Sequence, residues 1–298
     1  MEIALPADAF EAHRPRLFGL AYRLLGSAQE AEDAVQDAYL RFSGADRAAI
    51  EHLGAWLAKT VTNLCLNRLT SARARRERYV GDWLPEPVVT SDGTLGPLES
   101  AERRDQVSMA LLVLLERLTP AERAVYVLRE AFGYAHREIA DVLELSEANC
   151  RQLYRRAVRR VAEPAGGRFE AAPERREELV ASFVTAAREG DLAGLERLLA
   201  EDVTWWSDGG GKVTAALRPI EGRAKVMRFL AGISGRFTAG LEFTAAEVNG
   251  AGALAWWTGD TLMGVAVIEP RDGLIAGVRA VVNPEKLEFA RRQLLDRV

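Results

Sequence analysis

The segment Gly133–Val161, GYAHREIADVLELSEANCRQLYRRAVRRV, restricts what this chain can fold into more than any other stretch. It reads as two helices meeting at a short turn, the second carrying arginine on one face only. At about 100° per residue, Cys150, Leu153, Tyr154, Ala157, Val158 and Val161 fall on one side of that second helix. Arg151, Gln152, Arg155, Arg156, Arg159 and Arg160 fall on the other. One face is suited to packing and the other to meeting phosphate. Ser146 stands at the N-cap position, and small Ala140 in the preceding helix permits a close helix crossing. From Arg151 to Arg160 there are five Arg and no acid, whereas an ordinary solvated helix mixes signs for i,i+4 support. The pattern predicts a helix-turn-helix reading head, the alternative for this segment alone being a solvated charged face.

Basicity is local, because the 298 residues carry a net charge of only −4. Arg68, Arg73, Arg75, Arg76 and Arg78, against the single acid Glu77, form a second basic cluster far from the first in sequence. Two such patches suit a protein that grips an extended polyanion at two points. With 48% hydrophobic and 28% charged residues, the chain is long enough for two or three soluble domains. Cys65 and Cys150 lie in predicted helices without metal-ligand spacing, so they read as buried thiols of a reducing cytoplasm, with no metal and no cofactor expected. The first ten residues do not resemble a signal peptide, and no run of about 18 apolar residues offers a membrane span. The expected location is the cytoplasm, with no membrane partner.

Helical periodicity holds from Ala7 to about Arg78, with Leu17, Leu20 and Leu24 and then Ala34, Val35, Ala38, Tyr39 and Phe42 as the apolar returns. Residues 81–104 break the pattern with Pro85, Pro87, Pro97, Gly93 and Gly96 and read as a surface linker. Trp83 and Leu84 make WLPEP at 83–87 more apolar than a free linker needs, so this stretch is expected to dock on another part of the protein. Thr119-Pro120 starts a further helix, Thr as N-cap and Pro at the first helical position. After Pro173 come two helical stretches, at about 174–189 and 191–200. Short strands follow near 203–207, 241–248, 254–258, 262–268 and 277–282, with helices at about 223–230 and from Pro284. This half is expected to be α+β, with a curved, mainly antiparallel sheet.

The stretches GSAQEAEDAVQDAYLRF at 26–42 and LGAWLAKTVTNLCLNRLTSARARR at 53–76, followed by the 133–161 head, resemble the extracytoplasmic-function sigma factors of bacterial RNA polymerase. The resemblance implies that Glu32, Asp33, Gln36, Asp37 and Leu40 meet the clamp coiled coil of the largest subunit of core RNA polymerase. It implies that Asn63, Asn67, Arg68, Arg73, Arg75 and Arg76 meet the −10 promoter element, and that Asn149, Arg151, Gln152, Arg155 and Arg156 read the −35 element. The residue types suit these roles. Acids around exposed apolar anchors form a protein-docking face. Asn amides bond base edges while Arg holds phosphate, and Arg and Gln pair bidentately with guanine and adenine.

The C-terminal half resembles the SnoaL-like domain, a cone-shaped α+β fold. WLPEP at 83–87, DGGGK at 208–212 and NPEKL at 283–287 resemble the sigma-factor subgroup that carries such a domain. The implied fold class is multidomain: two all-α sigma modules, the second a helix-turn-helix, then the SnoaL-like domain. The expected division is 1–80 for sigma region 2, 81–104 for a linker, 105–163 for region 4, 164–173 for a second linker and 174–298 for the regulatory domain. Trp83, Leu84 and Pro85, with Asp208, Gly209, Gly210 and Lys212 and with Asn283, Pro284, Glu285 and Lys286, are the candidate regulatory contacts.

Cyclases of the SnoaL-like fold keep an acid or base inside the cone. All three histidines, His13, His52 and His136, precede this domain, so no catalytic residue is assigned and no enzyme is expected. Asp208 is the best-placed carboxylate, and Trp205, Trp206, Trp256 and Trp257 are the aromatic candidates for a pocket that takes an unknown small ligand. The leading reading is an alternative sigma factor for promoter-specific initiation, modulated by its own C-terminal domain. A DNA-binding regulator with a ligand-sensing domain, and a SnoaL-like cyclase or isomerase fused to a DNA-binding region, stay open as alternatives.

Overall fold

A computed structural model of the chain describes residues 6–76, 78–91, 93–95, 105–162, 173–237 and 240–296. These fall into two compact units, residues 1–78 with 92–165 and residues 79–91 with 166–298.

The first unit is helical. Helices α1 (Pro6–Glu11), α2 (Arg14–Leu25), α3 (Ala28–Ser43) and α4 (Leu53–Arg76) form its first part. Helices α5 (Met109–Leu115), α6 (Pro120–Glu130), α7 (His136–Leu143) and α8 (Glu147–Ala162) form its second. Local chemistry sets the ends. The Ser27 hydroxyl accepts from the Glu30 N–H at 3.1 Å and starts α3. Thr119 and Glu122 make a reciprocal capping box at α6, and Ser146 accepts from the Asn149 N–H at 3.2 Å to start α8. Ala31, Ala34, Val35, Ala38 and Phe42 recur every three or four residues on α3 and are buried, so α3 packs on α2 and α4. Helix α6 packs on α8 and also on α2 and α4, joining the two halves of the unit. On α8 the buried residues are Cys150, Leu153 and Ala157. Val158, expected on this face, is instead 37% exposed, because the stripe that α6 and α7 cover is narrower than the apolar half of the helix.

The second unit is α+β. Its helices are α9 (Pro173–Glu189), α10 (Leu192–Leu198), α11 (Arg223–Phe237) and α12 (Pro284–Leu295). Its strands are β1 (Leu199–Asp208), β2 (Ile220–Glu221), β3 (Glu242–Val248), β4 (Ala251–Thr258), β5 (Thr261–Arg271) and β6 (Leu274–Val281). They form one sheet ordered β2-β1-β6-β5-β4-β3, antiparallel except for the β1–β6 pair. Asn249-Gly250 and Asp272-Gly273, all four at positive φ, close the β3–β4 and β5–β6 hairpins, the two-residue turn whose twist matches that of the strands. One sheet face, with Trp205, Leu254, Ile268 and Val278, packs against Leu179 and Phe183 of α9 and Val226 and Leu230 of α11. Helix α12 packs on β5.

Strands β1, β4 and β6 start three or four residues before the periodicity reading has them, β2 was not expected, and three further boundaries differ for a visible reason. Helix α10 ends at Leu198 because Leu199 already pairs with Ile275 of β6. Strand β5 runs past Ile268 to Arg271 through a register shift at Glu269 and Pro270. Helix α11 continues through Gly232 and Gly235 to Phe237, with packing on β1 and α10 offsetting the weak helix propensity of glycine.

Candidate functional site

The segment 79–91 is part of the second unit, and the three motifs of its region converge on one carboxylate. Asp208 ends β1 and is fully buried. It lies one step out of phase with Trp205, so strand alternation turns it away from the core face of the sheet. One carboxylate oxygen accepts from the Tyr79 hydroxyl at 2.5 Å. The other accepts from the Leu84 N–H at 2.8 Å and from the Lys286 ammonium at 2.7 Å. Lys286 also donates to the Leu84 carbonyl at 2.6 Å, so a buried ion pair captures both backbone groups of one linker residue. The ammonium sits 4.7 Å from the Tyr79 ring centroid and 4.4 Å from that of Trp83, a cation–π seat that offsets part of its desolvation. Burial, and then the charge of Asp208 to which it donates, push the Tyr79 phenol well above the ordinary tyrosine range.

The motif residues around this pair shape its surroundings. Asn283 caps α12 by accepting from the Glu285 N–H at 3.1 Å and donates its amide to the Tyr79 hydroxyl at 2.8 Å. Pro284 follows at the first helical position, where its missing N–H costs nothing. Gly210 has φ of +58°, and a Cβ there would strike the Asn283 amide and lie 2.8 Å from the Tyr79 hydroxyl. At the rim, Lys212 pairs with Glu285 at 2.9 Å. The WLPEP residues Leu84, Pro85 and Pro87 are buried, Leu84 at 1% exposure.

Beyond WLPEP the segment continues as a tie along the end of the β3–β4 hairpin. Asn249 exchanges hydrogen bonds with Val88 and Gln293 with Val89, while Thr90 donates its N–H to the Glu247 carbonyl and its hydroxyl to the Glu247 carboxylate. Val89 bridges Val248 in antiparallel fashion. Tyr79, Asn249 and Gln293 were not singled out from the sequence. The Asn-Gly pair at 249–250 was the available signal for Asn249. Tyr79 and Gln293 carry no local signal, since each acts through a partner more than 120 residues away in the chain.

Of the other Trp candidates, Trp205 lies in the core and Trp256 packs beside it. Trp206 lies under the Arg279 guanidinium at 4.0 Å, and that arginine pairs with Glu269 at 2.5 Å. Trp257 donates to the Thr244 hydroxyl at 3.1 Å. The four rings are divided between the two sheet faces and do not line one cavity.

In the helical unit, α3 presents Leu40 at 61% exposure, with Asp33 and Gln36 exposed and Glu32 and Asp37 half-buried. Arg68 of α4 reaches this face: it pairs with Asp37 at 2.6 Å and Asp33 at 3.7 Å and donates to the Glu30 carbonyl at 3.2 Å. The structure therefore joins one candidate −10 residue to two candidate polymerase residues. Asn63 is half-buried and Asn67 exposed on α4. Arg73 and Arg75 lie in the last turns of α4, and their side chains are outside the described residues. Arg76 pairs with Glu116, which also pairs with the buried Arg123. On α8, Arg151, Gln152, Arg155 and Arg156 are exposed and Asn149 half-buried. Arg151 pairs with Glu147, and Arg156 lies 3.8 Å from the buried Glu122, which pairs with Arg160 at 2.5 Å.

The chain thus pairs a two-part helical unit, with an exposed arginine face on α8, with an α+β unit built on one six-stranded sheet. Residues 9–75 match Sigma-70 region 2, residues 108–161 match Sigma-70 region 4, and residues 180–278 match the SnoaL-like domain. The chain is 39% identical to the ECF RNA polymerase sigma factor SigJ of Mycobacterium tuberculosis (strain ATCC 25618 / H37Rv), over 95% of this chain and 93% of that protein. It is 30% identical to the ECF RNA polymerase sigma factor SigG of the same organism, over 65% of this chain and 59% of the relative. The crystal structure of the M. tuberculosis extracytoplasmic function sigma factor SigJ superposes with a TM-score of 0.73 at 35% identity, covering 95% of this chain and 98% of that one. The chain belongs to the ECF RNA polymerase sigma factors, in the form that carries a C-terminal SnoaL-like domain. Among the described residues, no helix is long and apolar enough to cross a membrane.

Proposed function

We propose that this chain binds core RNA polymerase through the α3 face of Glu32, Asp33, Gln36, Asp37 and Leu40 and directs initiation at its own class of promoters. The exposed arginine face of α8 supports −35 recognition by Asn149, Arg151, Gln152, Arg155 and Arg156. The basic end of α4, with Asn63, Asn67, Arg68, Arg73, Arg75 and Arg76, is assigned to the −10 element. The SnoaL-like domain acts as a built-in regulator rather than an enzyme. The observation that carries this last reading is the capture of Leu84, in the segment joining the two helical modules, by the buried Asp208–Lys286 pair. A domain that holds that segment constrains the span between two DNA-contacting modules. The engagement of Asp208 by Lys286, Tyr79 and Leu84 supports a structural task for the best-placed carboxylate.

Run-off transcription with core RNA polymerase on a promoter upstream of the chain's own gene tests both parts. The full-length protein is expected to direct a discrete start. Asp208→Ala is expected to change the amount of transcript severalfold while core-polymerase binding persists. No discrete start and no core binding would overturn the sigma assignment of these residues. Wild-type transcription by Asp208→Ala would remove the regulatory reading alone.

A further inference from the structure

Helix α8 carries five arginines and a single acid, Glu147, at its first position. Glu147 stands four residues before Arg151, so the two side chains are neighbours on the exposed arginine face. The Glu147 Oε1 accepts from the Arg151 Nη2. Both side chains stay open to solvent, Glu147 at 42% and Arg151 at 53% exposure. The other arginines of the helix are placed differently. Arg160 and Arg156 turn to the buried Glu122 at 2.5 and 3.8 Å and tie α8 to α6. Arg155 and Arg159 are exposed and meet no carboxylate among the described residues. Arg151 is therefore the one arginine of α8 held by a carboxylate that is itself open to solvent.

A carboxylate on a face that meets DNA is repelled by phosphate and weakens binding to any sequence. It has a place there only where a donor in the groove answers it. The N-terminal residues of a reading helix are the ones that reach base edges in the major groove, and Glu147 and Arg151 occupy the first turns of α8. Arginine donates to guanine N7 and O6, and glutamate accepts from cytosine N4. Those three atoms lie side by side on the major-groove edge of one G·C pair, acceptor, acceptor, donor. Arg151 gives one N–H to Glu147, which leaves the rest of its fork and the Glu147 Oε2 to face a ligand. The pair presents donors beside an acceptor, the complement of that edge. An A·T pair offers acceptor, donor, acceptor instead, which sets the adenine N6 amine against Arg151 and thymine O4 against Glu147.

We propose that Glu147 and Arg151 read one G·C pair of the −35 element as a unit. Arg151 donates to guanine N7 and O6, while Glu147 accepts from the cytosine N4 amine and holds the guanidinium in the plane of the base pair. The proposal rests on the −35 reading given above and adds Glu147 to it. Because the carboxylate is repelled by every other sequence, its contribution is to discrimination and not to the strength of binding.

The test is binding of the holoenzyme, formed from core RNA polymerase and the full-length chain, to a labelled promoter fragment from upstream of the chain's own gene. A set of fragments in which each −35 base pair is replaced in turn is measured beside it, for wild type, Glu147→Ala, Arg151→Ala and the double variant. At one G·C position, replacement by A·T is expected to weaken wild-type binding about tenfold or more. Glu147→Ala is expected to bind that replaced fragment more tightly than wild type does, and to cut the preference there to about threefold or less. Its preferences at the other −35 positions are expected to persist, which also shows that the reading head is folded. Arg151→Ala is expected to lose preference at the same position, with no further loss in the double variant. A carboxylate without this task would, on removal, raise affinity by one common factor on all fragments. That uniform gain, with every preference kept, overturns the proposal and leaves the promoter reading standing. A preference lost at a position that Arg151→Ala does not affect, or lost alike at every position, overturns it as well. Failure of the wild-type holoenzyme to bind the promoter or to prefer any −35 sequence overturns the promoter reading and the proposal together.

Discussion

Asp208 and Lys286 are charges taken out of water, and each is tolerable only because the other is present. Three donors meet the carboxylate, and two oxygen acceptors and two aromatic rings meet the ammonium. Removing one member strands the other, at a cost of about 3–5 kcal/mol. Lys286→Met is expected to lower the stability of the second unit by that amount in urea denaturation followed by tryptophan fluorescence, with Trp83 as a local reporter. Asp82 provides a contrast. It is raised above its ordinary value by burial first and by the nearby charge of Asp208 second, and one of its oxygens is buried without a hydrogen-bond partner among the described residues. A carboxyl whose folded value is raised contributes stability below its unfolded value, near pH 4, and loses it as the pH rises through the folded value. Ionised Asp82 therefore opposes folding at neutral pH. Asp82→Asn is expected to melt higher than wild type at pH 7, with the difference narrowing as the pH falls toward 4. A pH-independent difference would place the effect elsewhere than in this ionisation.

At the scale of elements, the helix starts at Thr119 and Ser146 were legible because a cap acts within one turn of the residue that makes it. Five strands were legible from alternation, but not the two-residue β2, which is too short to alternate, and the hairpins close on Asn-Gly and Asp-Gly pairs. The continuation of α11 through Gly232 and Gly235 was not legible, since packing on β1 and α10 decides it. The junction inside the helical unit was likewise hidden. Glu116, just after α5, pairs with Arg76 of α4 and Arg123 of α6, and Arg123 is only 2% exposed. Arg123 also donates to the Arg23 carbonyl at 3.2 Å, and burial lowers its guanidinium to about 9. Glu116→Ala leaves that buried cation without its counter-charge, so a loss of about 3–5 kcal/mol is expected in chemical denaturation of the full chain. Glu116→Gln, which keeps an acceptor, is expected to cost less. Equal losses for the two variants would mean that packing, and not charge, holds this junction.

At the scale of the whole molecule, the chain leaves its helical unit at residue 79, contributes a segment to the α+β unit, and returns at residue 92. Leu84, Val88 and Val89 have their apolar surface covered within that second unit. A chain cut after residue 163 therefore exposes them, and trypsin or chymotrypsin is expected to cleave it between residues 78 and 91 under conditions in which the full-length protein resists. Equal resistance of the two proteins would show that the segment finds cover without residues 166–298. The sequence alone determined the helical and α+β halves, the arginine-faced reading head, the caps, and the apolar character of WLPEP, because periodicity and capping act over a few residues. Only the tertiary structure decided that Asp208 faces the linker rather than the core of the sheet, that Tyr79, Asn249 and Gln293 complete the clamp, and that Arg68 and Arg76 turn to acids of their own unit. Those choices depend on which distant surfaces exclude water from one another, and a buried carboxylate or guanidinium must find its partner wherever the fold brings one, as Leu84 and Asp208 do across 124 residues.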